Sequence, residues 1–92
     1  MKNIDVIISF ILNLKPIRTQ NVWTSDMNTE LFSYDTCIAQ FTIDKLYINM
    51  TYYNIYTSRI RNMVIHEALK YIAEENIIYV NDIPKGSDKL IN

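Results

Sequence analysis

The chain has 92 residues, a formal net charge of −1 and 49% hydrophobic residues. That length fits one domain with a single modest core. The apolar content excludes a disordered chain, and the charge excludes one that coats nucleic acid by bulk positive charge, leaving only a local basic patch for that role. One glycine and two prolines leave little room for long irregular loops. Cys37 is the single cysteine, so no intrachain disulfide forms and a cysteine-based metal site has no support. Cys37 reads as a small buried hydrophobe in a strand, since a reactive thiol would need His66 as its partner and no spacing connects them. Seven tyrosines, apolar in body and polar at the tip, suit half-buried sheets and interfaces.

In chain order, the first expected element is a helix over residues 2–14. Ile4, Ile7, Ile8, Ile11, Leu12 and Leu14 recur at helical spacing, and Val6 and Phe10 widen the stripe beyond one face. Asn3 is the expected cap, Asp5 lies in the first turn, and Lys15 before Pro16 ends the helix. The surplus apolar surface makes this helix the expected contact of a homodimer. Asp5, Asn13 and Lys15 bracket the run, which is too short to span a membrane, and no small-residue cleavage site follows it. The expectation is a cytoplasmic protein without a membrane partner.

Asn21 to Thr24 reads as a short strand with Val22 or Trp23 turned to the core, Trp23 serving either as a core anchor or as an interface hot spot. Residues 31–43 and 46–53 read as a hairpin. Leu46, Ile48 and Met50 alternate with Tyr47, Asn49 and Thr51, and Cys37, Ala39, Phe41 and Ile43 alternate with Thr36, Ile38, Gln40 and Thr42. The turn at Asp44-Lys45 lacks glycine, which predicts a slightly longer loop. A second helix is expected over residues 57–75, capped by Thr57 or Ser58. Its core face would carry Ile60, Met63, Val64, Ala68, Tyr71 and Ile72, with Glu67 and Lys70 paired on the outer face. Ile77 to Val80 reads as a last strand, and residues 82–92 as a loop and tail. The fold expected is α+β in a single domain over 1–92: an N-terminal helix, a small antiparallel sheet of three to four strands around a central hairpin, and a second helix packed on the sheet.

Within this pattern Arg59 and Arg61 stand out, because positive charge in a first helical turn opposes the helix dipole. Either they are solvated or paired with acids such as Asp35, or they face an anionic partner. No Gly-rich phosphate loop, metal-ligand cluster or activated nucleophile occurs, so no catalytic residue, metal site or cofactor is expected.

The stretch Phe32 to Asn62 resembles a family of small uncharacterised proteins of phages and plasmids of low-GC bacteria. Its members carry a motif close to SYxTxIA, then YVN, then YSxTTSRHxN. The matching residues are Ser33, Tyr34, Thr36, Ile38 and Ala39, then Tyr47, Ile48 and Asn49, then Tyr53, Thr57, Ser58, Arg59 and Asn62. The chain departs at Asn54, Tyr56 and Ile60, where the motif has Ser, Thr and His, and those losses weigh against catalysis at this corner. The resemblance implies a mobile-element origin rather than a reaction.

The functional expectation is a non-enzymatic accessory protein that binds a host protein, such as an inhibitor of a defence nuclease of the CRISPR kind. Its candidate binding residues are Arg59, Arg61, Tyr47, Tyr52, Tyr53, Tyr56 and Trp23. The alternative is a small nucleic-acid-binding protein that stacks bases on sheet aromatics and contacts phosphates through Arg59, Arg61, Lys15 and Arg18.

Overall fold

In a computed structural model the structure describes residues 2–83, and most of the expected tail lies outside them. Helix α1 covers Asn3–Ile11, and β1 (Val22–Thr24), β2 (Glu30–Ser33), β3 (Thr36–Phe41) and β4 (Leu46–Asn49) follow. Helix α2 covers Ile55–Tyr71, a 3-10 turn spans Glu74–Asn76, and β5 is Ile77–Val80. The class is α+β, with five strands in the order β1-β2-β3-β4-β5. The first three pairings are antiparallel and β5 runs parallel to β4, so the sheet is mixed rather than the expected antiparallel one of three to four strands. The length of α2 explains the parallel strand. Seventeen helical residues return the chain to the opposite end of the sheet before β5 begins.

Helix α1 is shorter than expected and differently capped. Lys2 is the N-cap residue, its N–H donating to Asp5 Oδ2 at 3.0 Å. The helix ends before proline can act. Asn13 takes the left-handed conformation at φ 54, its N–H bonds Phe10 O, and Leu14 N–H bonds Ser9 O. Those two bonds are the Schellman arrangement, with asparagine in the place usually held by glycine. Leu12 and Leu14 therefore fall beyond the helix and are exposed, whereas Val6 and Phe10, which looked surplus, are fully buried.

The expected long strand over 31–43 is two strands. Tyr34, at φ 54, turns the chain between Ser33 and Thr36. A tyrosine is costly there, and three contacts hold it. Its N–H bonds Asn21 O at 2.7 Å, its carbonyl accepts from Trp23 Nε1 at 2.7 Å, and its ring meets Tyr56 edge-on at 5.4 Å. A bulge follows. Leu31 pairs with Ala39 and Phe32 with Cys37, which leaves Ile38 as the extra residue. Ile38 and Ala39 both reach the main core while Cys37 joins the cluster around Phe32 and Ile83. The second hairpin closes through Thr42 N–H to Lys45 O, the longer loop that the missing glycine predicts.

The main core lies under both helices. Val6, Ile7, Phe10 and Ile11 of α1 and Ile60, Val64 and Ala68 of α2 pack on Val22, Leu31, Leu46, Ile48 and Ile77. A smaller cluster of Phe32, Cys37 and Ile83, flanked by Trp23, Tyr47 and Val80, occupies the other face. Ile83, expected in a frayed tail, is buried there. Two residues of α2 exchange expected places. Tyr71 is exposed, and Glu67 is only 7% exposed, its carboxylate paired with Lys70 Nζ at 3.0 Å.

Candidate functional site

Helix α2 starts at Ile55, not at Thr57. Asn54 is its cap, accepting the Thr57 N–H on Oδ1 at 2.8 Å. The Thr57 hydroxyl is thereby released from capping, and it is buried in a 3.0 Å hydrogen bond with Ser33 Oγ. This earlier start moves Arg59 and Arg61 out of the first turn, so the dipole conflict that singled them out disappears.

Five of the residues that carry the motif resemblance, Ser33, Tyr34, Asn49, Tyr53 and Thr57, meet at this corner, while Ile38, Ala39 and Ile48 belong to the main core and Tyr47 to the outer face. Asn49, 1% exposed, donates Nδ2 to Cys37 O at 2.9 Å and to Tyr53 Oη at 3.1 Å, and its Oδ1 accepts from Thr51 N–H. Tyr53 in turn donates to Asp82 Oδ1 at 3.0 Å, tying the corner to the chain after β5. Asn3 joins from the start of α1, donating to Tyr56 Oη at 2.9 Å and accepting from Thr19 Oγ1 at 2.7 Å. The N-termini of both helices, the Tyr34 turn and the 50–54 connector thus meet at one end of the sheet. Ser33, Asn49 and Thr57 each have a partner from a distant part of the chain, which fixes the connector, while the buried Ser58 Oγ has none among the described residues.

Over that base stand exposed side chains: Tyr52 at 66%, Ile55 at 63% and Tyr34 at 54%, with Tyr53 and Met50 less so. Arg59 is exposed one turn after Ile55, on the same helical face. Arg61 points elsewhere, donating Nη1 to Met50 O at 3.3 Å on the flank beside β4. The ion pair between described residues is Lys70–Glu67, so neither arginine has a carboxylate partner among them.

The expected site residues therefore divide. Tyr52, Tyr53 and Arg59 come together at the corner. Tyr56 is half-buried and bound by Asn3, so it supports the surface more than it forms it. Trp23 lies on the far face, stacked on Phe32 at 4.1 Å, with the Arg18 guanidinium 5.8 Å from its ring centre. Phe32 and Arg18 both engage that ring, which takes it out of a free stacking surface. Tyr47 belongs to the same outer cluster. Tyr34 and Ile55 complete the corner and were not expected. Tyr34 was hidden inside a strand pattern, and Ile55 inside a connector.

Cys37 sits beneath this region, its thiol pushed up to about 12 by burial and by the Glu30 carboxylate. A thiol held protonated is a packing group rather than a nucleophile. Among the described residues there is no group of three or more His, Cys, Asp and Glu side chains arranged to hold a metal, and no helix is long and apolar enough to cross a membrane. None of the protein-family models, curated proteins or solved structures compared with the chain matches it.

Proposed function

We propose that this is a non-enzymatic accessory protein of a phage or other mobile element, acting in the host cytoplasm by docking a host protein on the corner surface. An inhibitor of a defence nuclease, of the CRISPR kind, fits that description. The observation that carries the reading is the set of exposed apolar side chains on the Tyr34 turn, at Tyr52 of the connector and at Ile55 of α2, over a base of buried hydrogen bonds. Tyrosine supplies large contact area at low entropic cost, and a rigid base lowers that cost further. Arg59 at the rim adds a charge that favours an acidic partner surface. The motif resemblance supplies the mobile-element setting.

The test is photo-crosslinking in bacterial cells with a benzophenone amino acid at position 52, and at Ile43 as a remote control. The expected result is one protein adduct at 52 that is absent at 43. Equal labelling at both positions, or none at 52, overturns the reading. A salt-dependent gel shift abolished by Tyr52→Ala would transfer the same surface to single-stranded nucleic acid.

A further inference from the structure

The two edges of the sheet are unlike. Beyond β1, Arg18 forms a bridge to Trp23 and Thr19 N–H bonds Val22 O, so that edge is covered by the preceding turn. Strand β5 has no neighbour on its outer side among the described residues. Val80 O accepts from Met50 N–H, so Val80 and Ile78 turn their backbone groups to β4. Tyr79 must then point its N–H and C=O outward, and Ile77 its C=O, while Ile77 N–H bonds Glu74 O. An edge of this kind is a template for a further strand. Natural edges are blunted by lysine, proline or inward charge, and Ile77-Ile78-Tyr79-Val80 has none of these.

The charges beside the edge specify what adds to it. Exposed Glu74 and Glu75 precede the N-terminal end of β5. Arg61 stands at the C-terminal end, because its guanidinium reaches Met50 O and Met50 N–H bonds Val80 O. None of the three has an ion-pair partner among the described residues. A second copy laid antiparallel along β5 brings Glu74 and Glu75 of each chain toward Arg61 of the other, twice over by symmetry. A parallel copy would set arginine against arginine. Tyr79, 46% exposed, lies in register with buried Ile48 on the helix side of the sheet. It would be covered by the added strand. We propose that two copies of this chain pair antiparallel through β5, a two-fold interface specified by Arg61 against Glu74 and Glu75. This interface rests on β5, Arg61, Glu74 and Glu75 rather than on Tyr34, Tyr52 and Ile55 of the corner.

Light scattering on the full chain tests it, with charge-reversal variants. The wild type is expected at twice the 10.9 kDa chain mass at high micromolar concentration. Arg61→Glu alone, and Glu74→Arg with Glu75→Arg, should each weaken association at least tenfold, and the three together should restore it. The Tyr79 N–H should gain protection from exchange as concentration rises, while Ile78 and Val80 keep theirs throughout. A monomer at millimolar concentration, a triple variant weaker than either parent, or a dimer with Tyr79 N–H unprotected would each overturn the proposal. Circular dichroism of every variant separates lost pairing from lost fold.

Discussion

At the corner end of the sheet, Tyr34, Tyr52 and Ile55 stand over Ser33, Asn49 and Thr57, whose hydrogen bonds join segments 12 to 24 residues apart. At the opposite end Leu14, Met27 and Ile43 are at least as exposed, Ile43 completely so. Their supports are mostly local. Ser25 Oγ accepts from Thr29 and Glu30 N–H within its own turn, and Thr42 closes on Lys45. Two bonds reach across, from Asn28 to Ser9 O and from Lys45 Nζ to Asn76 Oδ1 at 3.0 Å. Exposed apolar side chains occur on every small protein. What separates the two ends is the fixed base under one of them, which is what a binding surface requires.

The largest expected difference between the ends is under alkali, through Cys37. Its folded pKa lies near 12 against an ordinary 9.0. The folded chain keeps the proton and the unfolded chain releases it above pH 9. Stability from this group is therefore complete below pH 9 and declines as pH rises to 12, by roughly 4 kcal/mol at about 1.4 kcal/mol per unit. Urea unfolding at pH 8, 10 and 11 should show a steeper decline for the wild type than for Cys37→Ala, and parallel declines would contradict the burial. Asn49→Ala comes next. It strands the Cys37 carbonyl and the Thr51 N–H, at a cost of about 2–3 kcal/mol. Ser25→Ala at the other end should cost about 1 kcal/mol, and equal effects would erase the distinction between the ends. Asn54→Ala should cost about 1 kcal/mol through loss of the α2 cap, with Asn54→Ser recovering most of it in thermal unfolding.

Much of this was legible in the residues. Ile77 to Val80 is bounded by Asn76 and Asn81, and its four apolar residues form a strand where the pattern places one. The two helices follow their apolar periodicity. What escaped depends on contacts between distant segments. A turn at Tyr34-Asp35 has no local signature, because tyrosine enters the left-handed region only when Asn21, Trp23 and Tyr56 hold it. The cap expected at Thr57 or Ser58 falls to Asn54 because all three are good caps locally, and only the fold engages the Thr57 hydroxyl with Ser33. Glu67 looked solvent-facing from its i,i+3 spacing to Lys70, although the helix buries it. At the candidate site the sequence pointed to Arg59 for a dipole reason that no longer applies and to Tyr52 and Tyr53 as interface aromatics, and it grouped Trp23 and Arg61 with them although the fold turns both away.

The smallest effect on stability accompanies the largest expected effect on binding. Tyr52→Ala and Ile43→Ala should each change unfolding free energy by less than about 0.5 kcal/mol, as exposed side chains do. Crosslinking from position 52 and from position 43 in host cells then tests the central claim most directly. The account predicts a protein adduct from the corner and none from the hairpin tip. Equal adducts from both positions, or none from position 52, would contradict it.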